Sequence, residues 1–500
     1  MRRTVYEARL DKPFFKISKK TLKRIMMDKT SIRYRVRDDY ETATPVHVVW
    51  EITLACNLKC SHCGSRAGKV RPGELTTEQC FEVIDSLKRL GTREITIIGG
   101  EAFLRKDWLE IIERINESGI ECSMQSGAYN LNEERISSAK IAGIRNIGVS
   151  IDGMPETHNK IRGRRDSFEH VIHCLQLLKA HDIPSSVNTV ITKLNVDELS
   201  DLLDVLIANG VRNWQIQLAV AMGNAVDHAD ELLLQPYELI DFYEKLIVLY
   251  RKALANNVLV QAGNNIGYFG PYEHIWRQGN EKYFTGCSAG HTGIGIEADG
   301  KIKGCPSLPT NGYTGGNVKD MKIEDIWKYS EEMVFSRYRN KEELWGGCKG
   351  CYYESSCLAG CTWTSHVLFG KRGNNPFCHH RALELKKKGL RERIRKIQEA
   401  PGLSFDIGLF EIIVENEKGE IVEIQSPHNS PIIPKEDFTD RAPRMPKALK
   451  LCNGCDNYVY EEESTCSFCN ADIQKVNDEY AVKMEKAKRS LEKLELLMMR

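Results

Sequence analysis

From His47 onward, short apolar runs alternate with longer stretches in which apolar residues recur every three to four positions. HVVWEITL (47–54), EITIIG (94–99), IECSMQ (120–125), NIGVSID (146–152), SSVNTVI (185–191) and NWQIQLA (213–219) read as strands. The amphipathic stretches 76–90, 107–118, 131–142, 166–181, 195–209 and 235–255 read as helices. Six strand–helix units in strict alternation predict an α/β fold with a parallel sheet and right-handed crossovers. Such a set forms a partial (β/α)6 TIM-type barrel or an open doubly wound sheet. In both, the functional face lies at the C-terminal ends of the strands.

The same pattern divides the rest of the chain. Residues 1–46 are charged and lack apolar periodicity, which predicts an extension packed on a core of 47–260. Across 261–400 glycine, cysteine and aromatics rise, and long helical periods vanish until HHRALELKKKGLRERIRKIQ (379–398). That segment is predicted as one helix closing a second domain. A hairpin-like segment, FEIIVENEKGEIVEI (410–424), and a proline-bearing linker fill 401–448. A small cysteine-bearing unit follows at 449–475, and 476–500 reads as a charged packing helix.

Composition narrows the class. Hydrophobic residues make up 41% of the 500, enough for a sizeable core. With 70 basic side chains against 69 acidic ones, nothing electrostatic points to nucleic acid or an anionic membrane as a partner. MRRTVYEARLDKPFFKIS lacks the apolar region of a secretory signal, and no run approaches the roughly 20 apolar residues of a membrane span. A cytoplasmic chain is expected. Its 17 cysteines are then not mainly disulfides, and their gaps of two and three residues point to metal ligation. Cys80, Cys122 and Cys174 stand apart in apolar periodic segments and read as small buried hydrophobes.

Three cysteine groups carry the chemistry. The first, Cys56-x3-Cys60-x2-Cys63, directly follows the first strand. Three thiolates on one loop can hold three irons of a cubane and leave the fourth open; a zinc site completed by His62 is the alternative. The second group is Cys287-x12-Gly300-x4-Cys305, then Cys348-x2-Cys351-x5-Cys357-x3-Cys361-x16-Cys378. The third, Cys452-x2-Cys455-x10-Cys466-x2-Cys469, has paired knuckles that suit one zinc ion, with rubredoxin-like iron as the alternative. About 25 residues cannot bury a self-sufficient core, so metal is expected to stabilise this zinc-ribbon-like unit, read as a docking module.

The first group, with Gly99-Gly100-Glu101 ending the second strand and VSIDG (149–153) ending the fourth, resembles the radical S-adenosylmethionine superfamily. The resemblance implies a 4Fe–4S cluster whose open iron binds the amino and carboxylate groups of S-adenosylmethionine, and release of a 5′-deoxyadenosyl radical. Gly99, Gly100 and Glu101 then correspond to the contact with the cofactor's amino group, the glycines allowing close approach of a ligand. Ser150 and Asp152 correspond to ribose-contacting positions, Asp152 being alternatively a turn residue before Gly153. Arg162 is either a partner of the cofactor carboxylate or a solvated arginine. Asn188 and Gln217 are expected to face the same pocket. The second group matches the accessory SPASM domain, which implies two auxiliary 4Fe–4S clusters and three in all. By resemblance Cys348, Cys351, Cys357 and Cys378 surround one. Cys287, Cys305 and Cys361 serve the other, whose fourth iron is open or held by a residue such as His291, because NEKYFTG (280–286) offers no further cysteine.

Enzymes of this architecture mostly modify peptides and proteins. NNIGYFGPYE, GIGIEADGKIKGCPSLP and GCTWTSHVLFGKRGNNPFCHHRALE resemble maturases associated with peptides bearing a Gly-Asp-Leu motif. That implies a ribosomally made precursor peptide as substrate, and cross-linking, epimerisation or tyramine excision as the reaction. It also implies an electron donor such as flavodoxin or ferredoxin. Forty-six residues before the core are too few for a winged-helix leader-binding module, so a separate recognition protein is expected. The alternatives are an anaerobic sulfatase-type formylglycine maturase and a small-molecule radical oxidoreductase. The former branch has an acidic residue after the cysteine equivalent to Cys305, where this chain has Pro306. A bare iron–sulfur carrier has no need of the Gly-Gly-Glu and Ser-Ile-Asp elements.

Overall fold

The computed structural model describes residues 35–277, 283–427 and 446–498. Most of the expected N-terminal extension, part of NEKYFTG and most of the linker lie outside the described residues.

The first strand shows how the sequence builds the sheet. In β1 (His47–Thr53) Val48, Trp50 and Ile52 are at most 1% exposed beneath the helices, whereas His47, Val49 and Glu51 line an internal cavity. β2 (Glu94–Gly99), β3 (Glu121–Ser126), β4 (Asn146–Ser150), β5 (Ser185–Ile191) and β6 (Asn213–Leu218) follow, each parallel to the one before. The expected helices are α1 (Thr77–Arg89), α2 (Trp108–Glu117), α3 (Glu133–Ile141), α5 (Ser167–Ala180), α6 (Leu199–Ala208) and α7 (Leu239–Ala255). α1 begins in a reciprocal cap between Thr76 and Gln79 and buries Cys80, Val83, Ile84 and Leu87. Cys122 and Cys174 are likewise buried among apolar neighbours.

The sheet is larger than the alternation predicts. An additional short helix, α4 (Pro155–Arg162), follows β4. β7 (Leu259–Ala262) pairs parallel to β6, so the expected boundary at 260 falls inside a strand of the core. β8 (Gly293–Ile296), from the accessory region, pairs parallel to the outer edge of β1. β9 (Lys301–Lys303) and β10 (Thr314–Asn317) continue antiparallel. The order is β10-β9-β8-β1-β2-β3-β4-β5-β6-β7, a barrel-like sheet left open among the described residues.

The helix predicted over 379–398 is corrected. It stops at Lys387, Gly389 turns with φ +69°, and β11 (Leu390–Gln398) follows. LRERIRKIQ has period two, with Glu392 and Ile394 buried, a signal obscured by its charge. β11 pairs with β12 (Leu409–Asn416), and β12 with β13 (Ile421–Gln425), the expected hairpin. The boundary drawn at 400 therefore cuts one sheet. β14 (Leu449–Cys452) and β15 (Asn457–Tyr460) form the small ribbon, and a helix over Ile473–Met498 ends the chain. No helix among the described residues is long and apolar enough to cross a membrane.

α4 supplies a buried histidine with a consequence for stability. The Asp152 amide donates to His158 Nδ1 at 3.0 Å, so this nitrogen is unprotonated, and burial depresses the imidazole to about 3. Its folded value lies below the unfolded one near 6.5. The unfolded chain therefore takes up the proton first, and stability present at neutral pH is lost as pH falls from about 6.5 towards 3. The loss from this group is about 2 kcal/mol by pH 5. Thermal unfolding under anaerobic conditions at pH 7.5 and pH 5 should show a lower Tm at pH 5, and His158→Asn should flatten the difference.

Candidate active site

The loop carrying Cys56, Cys60 and Cys63 leaves β1 at its C-terminal end and is held by backbone bonds from three neighbouring elements. Gly100 N and Glu101 N donate to Thr53 O and Ala55 O, both at 2.8 Å. Lys59 N and Ser61 N donate to the carbonyls of Arg162 and Ile161 at the end of α4. Beyond β6, Asn224 N donates to Cys63 O at 3.0 Å and Asn224 Nδ2 to Cys60 O at 2.9 Å. Glycine permits this packing. A Cβ at Gly100 would lie 2.3 Å from Ala55 O, and one at Gly223, where φ is +61°, 2.4 Å from Cys63 O. The expectation that Gly99 and Gly100 admit a ligand thus receives a different physical reason: both are needed against β1 and its loop, Gly99 meeting Thr53 O at 2.3 Å. Asn224 and Gly223 have no sequence signal beyond following a strand.

Each sulfur of the triad has its own donor. Leu58 N reaches Cys56 Sγ and Ala67 N reaches Cys63 Sγ, both at 3.4 Å, and Arg162 Nη1 reaches Cys60 Sγ at 3.7 Å. Burial pushes the Cys56 thiol up to about 12 and the Cys60 thiol to about 11, so loading metal must displace protons. His62 is turned away from a ligand role, its Nε2 lying 2.8 Å from Asp152 Oδ2. Three thiols with N–H donors, and no fourth ligand beside them among the described residues, fit a cluster with one open iron better than a closed zinc site.

Asp152 is tied to its own chain. It is fully buried, and its side chain binds the protein instead of facing the cavity. Oδ2 pairs with Arg162 at 2.6 Å and with His62, while Oδ1 accepts from Val190 N at 2.9 Å. Burial alone would raise this carboxyl, but the Arg162 guanidinium and His62 hold it below the usual range. Arg162 is not a solvated arginine either: it is 7% exposed and lines the cavity, and its Nε has no hydrogen-bond partner among the described residues. Glu101 is 1% exposed, accepts from Ser126 Oγ and Gly127 N at 2.6 Å each, and is raised to about 7 by burial.

The cavity inside the sheet measures about 500 Å³. Cys63, Gly99, Ser150, Arg162, Asn188 and Gln217 all line it. Asn188 Nδ2 donates to Gln125 Oε1 at 2.8 Å. A second cavity of about 280 Å³ is lined by Cys287, Cys305 and Cys361. The two cavities adjoin, with His47, Val49, Gln215, Gln217, Ser307 and Trp363 in the wall of both. The indole N–H of Trp363, in that shared wall, is buried and has no hydrogen-bond partner among the described residues. Glu51 lines the first cavity, raised to about 7 by burial, with Arg71 as the opposing influence. His291 does not turn to the cysteines: its Nε2 lies 2.9 Å from Tyr40 O.

Cys348, Cys351, Cys357 and Cys378 lie near one another, and burial first, then the neighbouring sulfurs, push the Cys357 and Cys378 thiols up. Asn375 N donates to Cys348 Sγ at 3.4 Å and Arg381 N to Cys378 Sγ at 3.5 Å. Buried Arg381 is neutralised by Glu392 of β11 at 2.6 Å, which explains why that strand carries charge inward. The four C-terminal cysteines converge separately, all sulfurs lying within 4.8 Å.

Known proteins place this architecture. Residues 50–206 match the radical SAM superfamily model, and residues 287–352 match the SPASM iron–sulfur cluster-binding domain. An AdoMet-dependent heme synthase of Methanosarcina barkeri is 29% identical over 68% of this chain and 98% of its own length. The mycofactocin maturase MftC of Mycobacterium ulcerans is 27% identical over 63% of this chain and 83% of its own. Among solved structures, native anSMEcpe with bound AdoMet matches the fold with a TM-score of 0.54 and 18% identity, over 68% of this chain and 95% of that one. The chain is an enzyme of the radical SAM superfamily that carries a SPASM iron–sulfur domain.

Proposed function

We propose that this enzyme is a maturase that modifies a ribosomally synthesised precursor peptide. The observation carrying the reading is that the cavity beside the Cys56/Cys60/Cys63 loop and the cavity beside the Cys287/Cys305/Cys361 triad share a wall that includes Gln215, Gln217, Ser307 and Trp363. A peptide segment lying there would sit between a radical source and an auxiliary cluster. Resemblance to the mycofactocin maturase supports the same class.

In this reading Cys56, Cys60 and Cys63 hold the radical cluster. Cys287, Cys305 and Cys361 hold one auxiliary cluster, and Cys348, Cys351, Cys357 and Cys378 the other. When bound, the radical cluster and S-adenosylmethionine together supply a carbon radical able to take hydrogen from an unactivated C–H bond. The chain does the positioning. Arg162, kept charged by Asp152, offers its free Nε toward a carboxylate, and buried Glu101, held by Ser126 and Gly127, fixes the end of β2 beside the cysteine loop. Ser150, Asn188 and Gln217 present neutral polar atoms to the rest of the cofactor and to substrate. Trp363 has a spare donor for a peptide carbonyl. Pro306 cannot accept a proton, but Glu51 faces the same cavity and, near pKa 7, is suited to hold one released by substrate. The precursor, a separate recognition protein and a flavodoxin- or ferredoxin-type donor complete the system.

The heme synthase resemblance over nearly that relative's full length makes a tetrapyrrole the rival substrate class. Reconstituted enzyme with reductant and S-adenosylmethionine should change the mass of a short peptide encoded beside it, at a single residue or residue pair. Conversion of a tetrapyrrole with the peptide unchanged would replace this reading with the rival.

A further inference from the structure

The C-terminal ribbon does not stand apart as a docking module for others; its aromatic face is already occupied by this chain. Tyr352 and Tyr353 directly follow Cys351 and project into it. Tyr353, 1% exposed, donates to Tyr458 O at 2.7 Å and stacks on Phe269 at 3.8 Å. Tyr352 donates to Glu463, and its hydroxyl accepts from Tyr460 N at 3.2 Å. Tyr460 Oη returns a bond to Tyr352 O at 2.9 Å. Ser356, beside Cys357, donates to Lys447 O at 2.9 Å. Phe468, between two ribbon cysteines, packs on Tyr352, Tyr353 and His380, the last two residues after Cys378. The ribbon thus covers segments flanking three of the four cysteines of the second auxiliary site.

This cap has little shape of its own. Its buried apolar cluster is Cys452, Cys455, Val459, Cys466 and Ile473, mostly the ligands themselves. The sulfurs pair at 3.8 Å (Cys452–Cys469) and 3.6 Å (Cys455–Cys466). Two matching knuckles frame them. Phe468 N donates to Cys466 Sγ at 3.4 Å and Gly454 N to Cys452, while Asp456 and Asn470 take φ of 61° and 58° just after each second cysteine. Four converging thiols with symmetric N–H support suit one tetrahedral zinc ion, and a unit this small keeps its fold through such an ion.

We propose that a zinc ion held by Cys452, Cys455, Cys466 and Cys469 keeps the ribbon closed as a cap over the cluster of Cys348, Cys351, Cys357 and Cys378, so that zinc occupancy sets how readily dioxygen reaches that cluster. This rests on the reading that those four cysteines hold a cluster. The test uses full-length protein, reconstituted anaerobically, with metal analysis and the rate at which iron–sulfur absorbance bleaches in air. About one zinc per chain is expected. The phase assigned to the capped cluster is the one lost in Cys351→Ala/Cys357→Ala; if that variant loses no iron, the cluster reading fails and the cap has nothing to cover. Cys455→Ser/Cys466→Ser should lose zinc and bleach this phase several-fold faster. Should that variant not fold, Tyr352→Phe/Tyr460→Phe decides: it keeps every ligand, so zinc should stay while the phase still accelerates. Wild-type bleaching in the variants that fold, or iron in place of zinc in the native ribbon, overturns the proposal.

Discussion

Enzyme carrying alanine at positions 56, 60 and 63 is expected to form no 5′-deoxyadenosine above background, while its auxiliary iron stays. Iron should fall by about four per chain, the content of one cubane. The expectation is for lost metal and a kept fold, because the loop is fixed through its backbone. Asn224, Gly100, Glu101, Lys59 and Ser61 bind main-chain atoms there, and none of these bonds uses a cysteine sulfur. The auxiliary cysteines lie on other segments and line other surroundings. Iron analysis, cluster spectroscopy and product chromatography check the three parts separately. Undiminished deoxyadenosine would sink the assignment of the triad, and loss of all iron would show that the sites do not assemble independently.

Asp152→Asn should be the most costly single change near the site. The guanidinium of Arg162 is buried and meets Asp152 Oδ2 at 2.6 Å. A neutral amide leaves that charge uncompensated, which costs about 3–5 kcal/mol. The damage reaches function through Arg162, whose carbonyl anchors Lys59 N and whose Nη1 touches Cys60 Sγ. Replacing both partners, as in Asp152→Asn/Arg162→Met, removes the stranded charge and should recover part of the stability but none of the deoxyadenosine formation. Denaturant titration of the two singles and the double completes the cycle. A single-variant loss below about 1 kcal/mol would mean that the pair behaves as a surface ion pair.

What the sequence exposed and what it hid follow from the range of the interactions. The six strands and their helices were legible because burial on one side repeats with the period of each element, and their ends fell within a few residues of the observed ones. The cysteine groups were legible because ligand spacing is local: Cys56, Cys60 and Cys63 share one loop, and each of the ribbon's two knuckles sits on a single turn. The burial of Asp152 was not, because VSIDG looks the same whether its carboxylate faces a ligand or Arg162 ten residues later. β11 was hidden by Arg391, Arg393 and Arg395, whose partners Glu415 and Glu411 lie on a strand about 20 residues away. β7 and β8 are only four residues each, and their strand character comes from the neighbours they pair with. The ribbon's docking was equally out of reach, since it depends on tyrosines about a hundred residues upstream.

The pairing of β8 with β1 has a bearing on how the protein is made. During synthesis β1 leaves the ribosome with its outer edge bare, and roughly 250 residues must follow before β8 can cover it. At ordinary elongation rates that interval is about 10–50 s. Throughout it, the strand that delivers the radical-site cysteines presents open N–H and C=O groups, the kind of edge that invites pairing with another chain. The nascent core therefore passes through a window of vulnerability to aggregation that closes only when the accessory region emerges. A gene cut between the two regions would leave that window permanently open, so the halves should be inherited, expressed and exchanged as one unit.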